Sequence, residues 1–90
     1  MNGRSLFLDV VSGNPEIVRY VQLFRMPLFL TRLDEEFKQY DDTDWENDEK
    51  AGEIVRNVMP GTLAQFGLPG EKAGQAVDEC LAEYTKKKGE

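Results

Sequence analysis

The sequence predicts an all-α fold, a small bundle of four or five short helices forming one domain. Apolar residues recur at helical spacing over most of its 90 residues. Proline, glycine and asparagine fall between those runs, where helices start and stop. No second alternating run offers a partner for a strand.

Residues 5–13, SLFLDVVSG, read as the first helix. Ser5 serves as its N-cap, Leu6, Phe7, Val10 and Val11 make one apolar face, and Gly13 suits a left-handed C-terminal position. Asn14 then caps a second helix, with Pro15 at the first helical position and Glu16 complementing the dipole. Its stripe is Ile17, Val18, Val21 and Phe24, widened by Tyr20 and Leu23, and Pro27 ends it near Arg25. A third helix from about Leu28 to Tyr40 carries Phe29, Leu33, Phe37 and Tyr40.

The polar run DDTD breaks the chain, and Thr43 or Asp44 caps the fourth helix. Ala51, Ile54, Val55 and Val58 carry that helix to Met59, where Pro60-Gly61 stops it. A turn, TLAQFG, leads to Pro69-Gly70. The last helix has the cleanest period, Ala73, Ala76, Val77, Cys80, Leu81 and Tyr84, and Lys86, Lys87 and Lys88 suit its negative end. The expected core is Val21, Phe24, Phe29, Leu33, Phe37, Val55, Val77 and Leu81.

Two stretches resemble known families. Leu6 to Val21 resembles the helix–turn–helix of an ankyrin repeat, through Leu6, Gly13 seven residues later, and Glu16, Ile17 and Val18. Asp9 and Val10 stand where that family packs small alanines. With or without that relationship, the first two helices are expected to form an antiparallel hairpin. Asp42, Asp44, Glu46, Asp48 and Glu53 fall at the first, third, fifth, seventh and twelfth places of an EF-hand loop, with Asn47 in place of its turn glycine. That likeness implies a calcium-responsive protein, the alternative to the main functional reading. Within the chain, EIVRYV at Glu16–Val21 echoes EIVRNV at Glu53–Val58, and a Met-Pro pair follows each.

The formal charge of −6 is unevenly spread. Residues 34–53 hold ten acids against Lys38 and Lys50, a net charge of −8, while the remainder carries nine bases and seven acids. An acidic chain lacks the basic footprint of nucleic-acid binding and is repelled by anionic lipid. The greasiest stretch, residues 17–30, contains Arg19, Gln22, Arg25 and Pro27, unlike a membrane span. The apolar run near the N-terminus is only three residues before Asp9, too short for a secretory leader.

Histidine is absent and Cys80 is the lone cysteine, which removes the commonest general base, any internal disulfide and a thiolate zinc cage. Cys80 lies on an apolar stripe and reads as a buried small hydrophobe. Trp45 either folds back over the core or is an exposed anchor. The expectation is therefore a small, acidic, cytoplasmic protein-binding domain. It is not an enzyme, it needs no cofactor, and it engages neither nucleic acid nor membrane. Its partner would have a basic surface, met by Asp41, Asp42, Asp44, Trp45, Glu46, Asp48 and Glu49.

Overall fold

Asn2, rather than Ser5, opens the first helix: its side-chain oxygen accepts the Ser5 backbone N–H at 2.8 Å. Helix α1 therefore spans Gly3–Ser12, two residues earlier than the sequence suggests. In the computed structural model, which describes residues 2–90, four more helices follow. They are α2 (Pro15–Val21), α3 (Met26–Phe37), α4 (Asp48–Gln65) and α5 (Gly70–Lys88), with 3₁₀ turns at Leu23–Arg25 and Asp42–Glu46. The fold is all-α, with no strand among the described residues. No described helix is long and apolar enough to cross a membrane.

The joint between α1 and α2 keeps Gly13 at φ −97°, right-handed rather than left-handed. Asn14 caps α2 as expected, its Oδ1 accepting the Ile17 N–H at 3.0 Å. The main neighbours of α1 are α5 and α3, and α2 is a lesser one.

Helix α2 stops at Val21, four residues short of expectation, because Gln22 takes φ 78° and ψ 137°. That left-handed break turns the next residues away from the α2 stripe. Phe24, expected in the core, is 79% exposed. Pro27 sits in the first turn of α3, where its missing N–H breaks no helical bond.

Pro60 does not end α4, which runs on to Gln65. Buried Met59, Thr62 and Leu63 continue the face begun by Ile54 and Val55. Packing on both sides of the proline outweighs its lost hydrogen bond. The true stop is Gly67, at φ 101°, after which the Leu68 N–H donates to Leu63 O at 2.9 Å and buries the Leu68 side chain. The two Met-Pro pairs thus play different parts, one starting a helix and one lying inside it.

The core has two aromatic centres. Phe7 lies between Phe37, Trp45 and Tyr84, at ring-centroid distances of 5.9, 5.9 and 5.6 Å. Phe29 meets Phe66 edge-on at 5.3 Å near the other end of α3. Of the expected core, Val21, Phe29, Leu33, Phe37, Val55 and Val77 are buried, while Leu81 is only partly so.

Candidate functional site

The acidic segment is anchored by its one aromatic residue. Asp41 opens the turn after α3, its Oδ1 accepting both the N–H and the hydroxyl of Thr43 at 3.0 Å. These bonds favour the charged form and hold the Asp41 carboxyl below its usual pKa. The turn then drops Trp45 inward, where it is 1% exposed against Phe7, Phe37 and Tyr84. Trp45 is therefore a core residue and cannot be the partner contact suggested by its acidic neighbours. Burying an indole offsets the cost of bringing so many like charges onto one loop.

Asn47, rather than Thr43 or Asp44, caps α4, accepting the N–H groups of Glu49 and Lys50 at 3.0 and 3.1 Å. The carboxylates around it point to separate cations. Asp42 pairs with Arg4 at 2.8 Å, Asp44 with Lys50 at 3.8 Å and Asp48 with Lys88 at 2.7 Å. Arg4 also reaches Asp34, at 3.1 Å. The bond from Lys88 to Asp48 is the chief cause raising the lysine's pKa. Glu46, Glu49 and Glu53 are exposed and have no ion pair among the described residues.

The calcium-loop residues Asp42, Asp44, Glu46, Asp48 and Glu53 do not converge. Asp42–Glu46 is a 3₁₀ turn, and Glu53 lies well inside α4. No three acid, cysteine or histidine side chains form a metal-holding group among the described residues.

A different surface appears at the opposite end of α3. Leu23, Phe24 and Leu28 are 74%, 79% and 55% exposed, the large apolar side chains that the fold leaves in water among the described residues. The Gln22 break presents the first two, and the outer face of the first turn of α3 presents the third. Beneath them Met26 and Phe29 are buried, and the Arg25 guanidinium lies 4.9 Å from the Phe66 ring centroid. Sequence reasoning missed this patch by extending the α2 stripe through Gln22. Its available signal was Pro27, which already required a break nearby.

A shallow cleft of about 350 Å³ between α1 and α5 includes Asp9, Glu79, Glu83, Lys87 and Cys80 in its lining. Burial, helped by the charge of Glu79, pushes the Cys80 thiol up to about 12, so it is no thiolate nucleophile near neutral pH.

A scan of protein-family models finds none that matches this chain, and neither the curated proteins nor the solved structures searched hold a significant match.

Proposed function

We propose that this chain is a protein-binding domain whose contact surface is centred on Leu23, Phe24 and Leu28. The observation that carries the reading is their exposure on a small domain whose other large apolar side chains, among the described residues, are buried or half-buried. Scattered surface leucines need no explanation, but three neighbouring large groups form a patch of the kind that marks interaction sites. The turn that displays them also contains the one non-glycine residue with positive φ among the described residues, Gln22. Strained backbone persists where the surrounding fold enforces it, and it gathers at working sites. Phenylalanine and arginine are both enriched at protein interfaces, and Phe24 and Arg25 stand side by side in this turn.

The test compares wild-type protein with the Phe24→Ser, Leu28→Ser variant as bait, followed by measured affinities for each captured protein. Both side chains are exposed, so the variant should keep its helical circular dichroism. A specific partner should lose at least about 2 kcal/mol of binding free energy. Equal affinity for bait and variant would remove the patch from the reading.

The acidic segment supports a second reading, an adaptor or regulator that meets a basic protein surface. It rests on Glu46, Glu49 and Glu53, exposed carboxylates beside a turn pinned by Trp45. Replacing those three by glutamine, which disturbs no ion pair described above, should slow association with such a partner and flatten its salt dependence. An unchanged rate and slope would leave the segment as solvated surface. The cytoplasm suits a chain whose lone cysteine forms no internal disulfide.

A further inference from the structure

We infer that the Leu23–Phe24–Leu28 patch receives a short amphipathic helix with acidic residues beside its apolar face; this rests on the protein-binding reading above. The charge around the patch is the first argument. From Ile17 to Leu33 the chain contains Arg19, Arg25 and Arg32 and no acid. Arg25 adjoins Phe24 in the 3₁₀ turn, and Arg32 follows Leu28 by one helical turn on α3. None of the three has a carboxylate partner among the described residues. The bases that are paired, Arg4, Lys38, Lys50 and Lys88, all serve acids of the segment at residues 34–53. A chain with seventeen acids thus leaves three arginines unpaired in one stretch rich in apolar residues.

Arg19 and Arg25 precede α3 and stand at the far end of that helix from the acidic segment, whereas Arg32 lies one helical turn from Glu36. Helix α3 has 12 residues, so its ends lie about 16 Å apart. That is roughly two screening lengths at physiological salt. A carboxylate arriving beside Arg25, at the start of α3, therefore meets the local positive field rather than the net charge of the molecule.

Size decides between a peptide and a second copy. At the observed exposures the three side chains offer on the order of 400 Å², near the size of a large patch on a monomer. A stable dimer buries about 800 Å² per partner. Patch-on-patch pairing would also bring like-charged arginines together. Head-to-tail pairing is poorly matched, because Trp45 is buried and the acidic end offers Phe24 only the half-buried Tyr40 as a large aromatic contact. A short helix bearing leucine or phenylalanine at helical spacing, with flanking glutamates, satisfies both the apolar anchors and the arginines.

The probe is a display library of short helical peptides, with both anchor and flanking positions randomised, selected on the intact protein. Binders that Phe24→Ser abolishes are sequenced and their affinities measured on wild type and on Arg25→Gln, Arg32→Gln. The expected binders are rich in glutamate and aspartate, and the double arginine variant weakens them about fivefold, as two exposed ion pairs would. Phe24-dependent binders that are neutral or basic, or insensitive to the arginine variant, overturn the acidic partner and leave the protein-binding reading standing. No Phe24-dependent binder at all overturns both. Vesicles containing phosphatidylserine and sedimentation of the protein alone complete the test. Phe24-dependent flotation or dimerisation would assign the patch to lipid or to a second copy and overturn the inference.

Discussion

Gly3 has no room for a side chain. A Cβ there would stand 2.6 Å from the Tyr84 hydroxyl, 2.9 Å from Trp45 Cβ and 3.0 Å from the Trp45 carbonyl oxygen. The same hydroxyl donates to that carbonyl at 3.3 Å, so a methyl would wedge the first turn of α1 away from the aromatic centre. Gly3→Ala should therefore destabilise by about 1–3 kcal/mol in chemical denaturation, despite alanine's better helix propensity. A neutral or stabilising result would mean that α1 is free to shift. At Cys80 the prediction concerns pH. An unfolded thiol titrates near 8.5, whereas burial carries the folded one to about 12. The folded state thus holds more protons between those values, so stability is full below about 8.5 and falls as pH rises toward 12. Tyr84, raised mainly by burial, and Lys88, raised mainly by its bond to Asp48, act with the same sign. Denaturation midpoints should drop steadily above pH 8.5, and a thiol reagent at neutral pH should label Cys80 only after unfolding. Rapid labelling of the native protein would contradict its burial.

The turn between α2 and α3 stores strain in one residue, since Gln22 occupies a region that glycine enters freely. Gln22→Gly should stabilise the protein by about 1 kcal/mol, because the relief exceeds glycine's extra chain entropy. A loss of stability in denaturant would show that the glutamine conformation is unstrained. This turn also shows where the sequence was legible. Long periodic runs fixed the all-α class, and the stripes of α3 and α5 located Phe29, Leu33, Phe37, Ala76, Val77 and Cys80 correctly. Apolar spacing cannot register a single backbone flip, so Phe24 was assigned to a stripe that had already ended. Pro60 misled in the opposite direction: its local penalty was readable, but the buried Thr62, Leu63, Phe66 and Leu68 beyond it came from a stretch resembling a turn. Trp45 was ambiguous because charge patterning describes the neighbours of a residue, while its burial depends on a gap made by Phe7, Phe37 and Tyr84. The candidate apolar site is missed for the same reason as Phe24: Pro27 signals a break nearby, but not that it falls at Gln22.

Across the whole molecule, repulsion within the acidic end opposes the ion pairs that tie it down. Residues 34–53 carry a net charge of −8, and the bases brought to them from elsewhere are Arg4 and Lys88. Exposed pairs contribute about 0–1 kcal/mol each and weaken with salt. Lys88–Asp48 and Lys50–Asp44 belong to that class, while Arg4 is better sheltered between Asp34 and Asp42. Against these few attractions stand many repulsive pairs among ten acids, all screened by the same salt. The extents of 30 × 26 × 23 Å exceed the screening length of about 8 Å, so at physiological salt the acidic end receives little relief from the arginines beyond α3. Raising sodium chloride from low ionic strength to about 0.15 M should therefore increase the midpoint of thermal unfolding, as screening removes more repulsion than attraction. The same titration on Glu46→Gln, Glu49→Gln, Glu53→Gln should start from a higher midpoint and rise less, since those carboxylates repel without pairing. If wild-type stability instead falls over that range, the attractions at Arg4 and Lys88 outweigh the crowding. The acidic end would then be a tied-down part of the fold, with no excess negative field left to attract a basic protein.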